Sequence, residues 1–565
     1  MKKFGRFRIA TVATLSATAL ALTACSGSGG GDSSNKAVGG LEIDVKPSGD
    51  YNEKERDEIK DGGELSLSLG ELTEQQNDFH ANMTTDTRTV WGWYNPQMAL
   101  YDGEGHYTPN PAYLDSVDES TEGDKTVVTY DINDDATFND GTPIDWTAFE
   151  NTWRFNNGKD MDVQVNSTDG YELIESVEKG ENDKEAVVTF EGPYPWWQGL
   201  FNDILHPAID TAEKFDQEYL GKLNPQYGAG PFKVDNADFR GGTVSFVPNE
   251  KWWGDKPKLD KVSYRVMEDQ ATINAFQAGE IDAAGVGSKN NLTIAADMGD
   301  SIDVRAATRP ASVLFTLNSK APQLADKDVR HAVFAAIDRD QLAEIRYNGL
   351  GYEEEMPGSL TLYPTQEDYK DNLSEVLEYD VEEAKSLLED AGYSEGDDGY
   401  YAKDGDKLSL RYVLIGDDEV SKSTATAVQK MLKDAGIELK IEERPSSDFS
   451  KITSERDFDL LLSGFAASDP FGPAFFGQTY ASDSTLNKSG TGTEEFDKKI
   501  EEMQKLPTRE EQIERINELE SEAFAEYGLL PYANGPVMVG QKKGLANMGA
   551  LGFAIIPKEN IGWEK

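Results

Sequence analysis

The sequence predicts an α/β protein of more than one lobe, on three observations. Its 565 residues exceed what one hydrophobic core holds, at roughly 100–200 residues per domain. Past residue 310 the apolar residues alternate between helical and strand spacing. Between about 100 and 221, short β-like segments are separated by acidic turns. A hydrophobic fraction of 38% with 10% aromatics is that of a globular chain. The 104 acidic against 54 basic side chains, net −50, exclude a nucleic-acid binder, which needs a basic face. A polybasic contact with anionic lipid is excluded on the same ground. A single cysteine leaves no disulfide framework and no Cys-rich zinc site.

The chain opens with Lys2, Lys3, Arg6 and Arg8, then the apolar run Ile9–Leu22, then Leu22-Thr23-Ala24-Cys25. A basic start, a short apolar core and small residues before a cleavage point describe a secretory signal over 1–24. The run is too short for a ~20-residue membrane helix. Its end resembles the lipobox of bacterial lipoproteins, which implies that Cys25 is acylated and becomes the first mature residue. Ser26–Gly40 is rich in glycine and serine and reads as flexible coil. Leu41–Gly63, polar and acid-rich, either continues the tether, giving 25–63, or wraps the body.

The body begins near Glu64. Leu65, Leu67 and Leu69 alternate with serines as a half-buried strand, and Thr126–Ile132, Ala186–Phe190, Thr243–Val247 and Val262–Val266 are further strands. Asp380 with Glu383 opens a helix as in a capping box, Val381, Ala384, Leu387, Leu388 and Ala391 line one face, and Gly392 ends it. Ala425–Gly436 repeats that plan. Leu408–Leu414 and Ile437–Ile441 are strands, Phe458–Ser463 a buried one, and Thr508 with Glu511 opens a helix to about Tyr527.

No nucleophile elbow, Walker A sequence or H-E-x-x-H is present. Gly285–Lys289 lacks phosphate-loop spacing, and Asp131–Gly141 lacks the glycine and closing glutamate of a calcium loop. The four histidines, His80, His106, His206 and His331, are scattered. Neither a catalytic residue, a metal site nor a cofactor is expected.

Six further stretches carry a resemblance. They are Phe138-Asn139-Asp140-Gly141-Thr142-Pro143, followed by a helix with Trp146, Phe149 and Trp153; Gly228–Phe232; Asn249–Gly254 with Pro257, Leu259 and Asp260; Ala278–Asp282; Phe315–Asn318 with Asp328–Arg330 and Ala336–Arg339; and Tyr379–Tyr393. In this order they resemble the family 5 extracellular solute-binding proteins of ABC importers, the oligopeptide- and dipeptide-binding group. The resemblance implies a two-lobed periplasmic-binding-protein-like α/β fold with an extra subdomain in the first lobe. Lobe I would comprise 64–100, 222–310 and 528–565, the extra subdomain 101–221, and lobe II 311–527. Most motif residues are structural: Gly141 and Gly230 as turn or close-approach positions, Trp252 and Trp253 as packing, Arg330 and Asp338 as surface or interlobe ion-pair residues.

The resemblance also implies an extended peptide held between the lobes through its backbone. Gly464 and Ala466 would offer pairing, Phe465 an aromatic wall, and Asp469 a contact to the ligand ammonium. Asp469 is equally readable as a turn residue. Glu71 and Leu72 match an edge that touches peptide in the family, and Trp91 and Trp93 are either core or cleft lining. The implied partners are peptide or a peptide-like solute, ABC permease and ATPase subunits, and the membrane through lipid on Cys25, with the receptor itself a monomer. Relatives on this scaffold also bind non-peptide solutes or regulate cell-envelope lipoglycan synthesis, so those readings stay open.

Overall fold

The computed structural model describes residues 37–308, 310–467 and 469–565. The leader, Cys25 and the first part of the tether lie outside the described residues. Glu64–Leu69 is a strand whose Leu65, Leu67 and Leu69 face inward. It pairs in parallel with Lys261–Val266, and Thr243–Pro248 and Phe232–Asp238 complete the sheet in antiparallel order. Those leucines pack with Val262, Tyr264, Val244 and Phe246 against Val90, Trp93 and Tyr94 of the helix Thr85–Tyr94. Burying each such aliphatic side chain is worth about 2 kcal/mol. Thr84 caps that helix, its hydroxyl accepting from the Thr87 N–H.

Leu114–Glu122, Lys125–Ile132, Glu185–Phe190 and Ile174–Lys179 form a second, fully antiparallel sheet in that order. The helix Trp146–Asn156 packs on it. Gly141 has φ +94°, a turn position. Gly230 serves by close approach, since a Cβ there would come within 2.9 Å of the Tyr94 carbonyl carbon.

A three-stranded sheet follows, Ala283–Gly285, Pro536–Lys542 and Ile302–Thr308. The largest sheet runs Glu438–Arg444, Ser409–Ile415, Leu460–Ala466, Ala311–Leu317, Leu529–Ala533. Its helices follow the expected signals. Asp380 accepts from the N–H groups of Glu382 and Glu383 ahead of Val381–Asp390, and Thr508 caps Arg509–Phe524. The helix expected from Ala425 begins earlier, at Glu419, because Asp418 caps it through Ser421.

The chain passes between these last two sheets twice, from Ile302–Thr308 to Ala311–Leu317 and from Leu529–Ala533 back to Pro536–Lys542. The two passages are neighbours, since the strands pair on both sides of the crossing. Asn534 Nδ2 donates to the Ala311 carbonyl at 2.9 Å, and the Glu354 carboxylate accepts from the Asn534 and Gly535 N–H groups at 2.7 and 2.8 Å.

Two expectations need correction. Residues 37–63 do not extend the tether; they wrap the body, the second of the two alternatives. Asp50–Tyr51 pairs with Gly549–Ala550, Ile59 is fully buried, and Arg56 donates to the Glu559 carbonyl and Asn560 Oδ1. Polar bonds to distant chain hold this segment together with a short apolar alternation, Leu41, Ile43 and Val45, that packs against the main core. Arg330 is an ion-pair residue, 3.4 Å from the Glu526 carboxylate, but not one of the surface, and Asp338 makes no ion pair among the described residues. Arg330 is buried and donates to the Leu324, Ala325 and Glu526 carbonyls, while Asp338 caps the helix Arg339–Tyr347.

Candidate ligand-binding cleft

The strand Leu460–Ala466 sits in the middle of its sheet, yet half of one edge is open. The Ala467 N–H donates to the Pro310 carbonyl and the Asn318 N–H to the Asp459 carbonyl. In an antiparallel ladder this assigns the odd-numbered residues to bonding with Ala311–Leu317. Leu462, Gly464 and Ala466 therefore turn their N–H and C=O groups to the opposite edge. There, the strand Ser409–Ile415 pairs only with Leu460 and Leu461. Beyond Leu461 no described backbone group pairs with that edge, and Gly464 and Ala466 are exposed. An unpaired edge is a template for another strand.

That edge opens on a cavity of about 690 Å³, within the range of ligand sites. One wall carries Ser463–Ala467, Phe449, Ser450 and Lys488; the other carries residues of the helix Thr85–Tyr94 and of the segment 547–561. Trp91 and Trp93, each 2% exposed, are core residues whose inner faces pack in two different clusters. Both also form part of the cavity wall. The Trp93 Nε1–H donates to the Tyr264 hydroxyl at 2.8 Å, so its ring is held in place.

Asp469, 3% exposed, lines a smaller pocket of about 110 Å³ that shares Arg88, Gln97, Asn166 and Asp203 with the cavity. Its Oδ1 accepts from the Phe471 N–H at 2.8 Å. It is thus a turn residue and a pocket residue at once. Arg88 stands among the acids of this pocket, 2.9 Å from Asp78 and 3.7 Å from Asp203. Burial pushes both carboxyls upward, and the Arg88 charge pulls against it. The guanidinium loses hydration, but Asp78, Asp203 and Asp469 outweigh that and raise its pKa. Asp78 Oδ1 is buried with no hydrogen-bond partner among the described residues. Nearby Asp169 accepts from the Gln478 N–H and Gln504 Nε2, and burial, with Glu172 adding to it, takes its pKa to about 7.

Glu71 and Leu72 are not on the wall of the cavity. Leu72 packs beneath the first sheet. Glu71 joins the two walls instead, accepting from the Ser450 hydroxyl at 2.8 Å while its own N–H donates to Asp86. Burial pushes its pKa up to about 7, against the Ser450 bond and with the Asp86 charge.

Sequence reasoning missed Arg88, Asp78, Asp203, Lys488 and Lys558. Arg88 had a signal, being the single Lys or Arg between Lys60 and Lys125. The others are charges in an ordinary polar background.

Comparison with known proteins places the whole arrangement. Residues 108–487 match the model of the bacterial extracellular solute-binding proteins, family 5 Middle. Oligopeptide-binding protein OppA of Mycobacterium tuberculosis is 32% identical over 96% of this chain and 92% of its own length. The chain belongs to the family 5 extracellular solute-binding proteins. Another relative, the probable monoacyl phosphatidylinositol tetramannoside-binding protein LpqW of the same species, is 29% identical over 58% of this chain and 55% of its own. The solved oligopeptide-binding protein AppA of Bacillus subtilis, in complex with a nonapeptide, has a TM-score of 0.74 at 20% identity. It covers 90% of this chain and is itself fully covered. The fold is thus the two-lobed one of solute-binding proteins.

Proposed function

We propose that this solute-binding protein is the membrane-anchored receptor of an ABC importer and captures peptides in the cleft. The open edge of Leu460–Ala466 carries the reading: Gly464 and Ala466 offer backbone groups to an extended chain, which tolerates varied side chains because every peptide repeats the same backbone. Phe465, Trp91 and Trp93 bound the space, and Asp469 with Asp78 receives the α-ammonium. Lobe I (64–100, 222–310, 528–565, with 101–221 as its subdomain) closes on lobe II (311–527) about the paired crossings, as ligand contacts to both lobes favour the closed state. No bond in the solute is broken; energy for uptake comes from permease and ATPase partners. Acylated Cys25 holds the monomeric receptor at the outer face of the membrane, which fatty-acid labelling tests: an unlabelled wild-type protein removes the anchor.

The peptide reading is tested with Ala466→Pro. Proline removes a cleft-facing N–H and no bond to Ala311–Leu317, a position where a strand tolerates it. Titration calorimetry with penta-alanine is expected to show at least tenfold weaker binding with an unchanged melting temperature. Unchanged binding would remove the strand edge from the site. The likeness to LpqW favours a second reading, a lipoglycan-linked role. Native mass spectrometry of protein purified from its host distinguishes them by the mass of what it carries.

A further inference from the structure

The chain carries about two acids per base, 104 against 54, but the cavity reverses that ratio. Its lining holds three bases, Arg88, Lys488 and Lys558, and one acid, Asp203. Arg88 faces Asp203 and Asp78, which leaves the two lysines. Neither makes an ion pair among the described residues, although ion pairs of other lysines with neighbouring acids are common over the rest of the chain.

Their surroundings are built to keep them so. Lys488 Nζ donates to the Thr485 carbonyl at 2.7 Å, which leaves two of its three donors without a partner among the described residues. The charge that acts on it is another cation, Arg456, whose guanidinium is held by the Asn487 and Lys488 carbonyls. Lys558 Nζ has no hydrogen bond among the described residues and lies over the Trp93 ring, 5.4 Å from its centroid. An aromatic face stabilises an ammonium without satisfying its donors. Burial lowers the pKa of both, that of Lys488 to about 8 and that of Lys558 against the opposing charge of Glu559, so each costs stability as a cation and gains from an anion. They come from the two walls: Lys488 beside Arg456 next to the largest sheet, Lys558 beside Gly92 and Trp93.

We propose that Lys488 and Lys558 are specificity-determining residues that select solutes bearing carboxylates, so that the cleft favours acidic peptides over neutral or basic ones. The proposal rests on the peptide reading. A solute carboxylate supplies what each ammonium lacks, a charge-assisted hydrogen bond in a partly desolvated site. An uncharged solute leaves both lysines unpaired in the closed cleft, and a basic solute adds repulsion.

The experiment is a competition read by native mass spectrometry and titration calorimetry. Three alanine pentapeptides carry glutamate, glutamine or lysine at positions two and four. The full mature protein is expected to bind the glutamate peptide at least tenfold more tightly than the glutamine peptide, and the lysine peptide most weakly. Lys488→Met and Lys558→Met should each cut the glutamate preference several-fold, by weakening the glutamate peptide while the glutamine peptide binds as well or more tightly. Circular-dichroism spectra matching wild type show that the variants are folded. Binding of the glutamine peptide with no glutamate preference overturns this inference and leaves the peptide reading standing. Equal losses for both peptides in the variants overturn it too, because the lysines then serve the fold. If none of the three binds, the peptide reading itself falls and the inference with it.

Discussion

The two ends of the cleft treat charge in opposite ways. In the small pocket the buried Asp78 and the half-buried Asp203 surround Arg88, which the protein supplies itself. In the large cavity Lys488 and Lys558 make no ion pair among the described residues, although the charge of Glu559 acts on Lys558. A buried ion with an internal partner is costly to disturb, whereas one without a partner is costly to keep. The first arrangement therefore belongs to the folded state of the empty protein. The second gains its partner only from outside, since whatever binds the native state alone stabilises it.

Removing Arg88 should give the largest effect. Arg88→Met leaves the buried Asp78 and the half-buried Asp203 without a counter-charge, a loss of about 3 kcal/mol for an uncompensated buried carboxylate. Burial already raises both carboxyl pKa values in the folded protein, so the folded state takes up protons more readily than the unfolded one. Stability then falls as pH rises above the unfolded carboxylate pKa of ~4. Urea midpoints of the variant should accordingly lie further below wild type at pH 8 than at pH 5. A deficit independent of pH would mean that Arg88 acts through packing, and the contrast between the two ends would lose its electrostatic basis.

Glu71 tests a charge that is neither paired nor cavity-facing. Its folded pKa of about 7 stands above the unfolded value of ~4.3. Wild type therefore loses stability between these values as pH rises. A glutamine at this position keeps an acceptor for Ser450 and has no proton to lose. Glu71→Gln should be more stable than wild type at pH 8 by on the order of 2 kcal/mol, with the gap closing toward pH 4. A gap that stays constant with pH would show that the wall-to-wall bond, not the buried carboxylate, governs stability here.

This division also marks what could be read from the chain. Capped helices such as Val381–Asp390 and alternating strands such as Glu64–Leu69 were legible because their signals are local: a side-chain oxygen three residues from its N–H, a leucine every second position. The open edge at Gly464–Ala466 was legible only through the family resemblance, and its cause lies in where Ser409–Ile415 stops pairing, a fact of a strand some 50 residues away. The strand Phe458–Ser463 was expected to be buried, but Leu462 and Ser463 are half-buried and the strand runs on to Ala466, with Gly464 and Ala466 facing out. The segment 37–63 shows only the short alternation Leu41, Ile43 and Val45, and the rest of it, like the lysines, was illegible for one reason. A polar residue's partner, or its lack of one, is set by distant chain and leaves no periodicity.

Asp469 belongs to the acid end by position, 3% exposed and within the field of Arg88. If it receives the ligand ammonium, Asp469→Asn should weaken binding of free-amine pentapeptides about tenfold, roughly 1.4 kcal/mol. N-acetylated pentapeptides, which carry no ammonium, should change little. Asparagine can keep the bond to the Phe471 N–H through Oδ1, so the turn survives the change. Equal losses for both peptide classes would return Asp469 to a turn residue alone.

The smallest effect is the most informative about the comparison. Lys558→Met replaces a half-buried cation, over the Trp93 face and without an ion pair among the described residues, by an apolar chain of similar length. The ammonium gains the ~0.5–1 kcal/mol of an exposed cation–π contact and loses part of its hydration, which lowers its pKa. The two nearly cancel, so thermal and urea unfolding of the empty protein should shift by less than about 1 kcal/mol, with stabilisation the expected sign. Arg88→Met and Lys558→Met thus remove one cation each from walls of the same cavity and should move stability in opposite directions. A Lys558→Met protein destabilised as much as Arg88→Met would show that the lysine holds the segment 547–561 against the helix Thr85–Tyr94, and both ends of the cleft would then be parts of the fold.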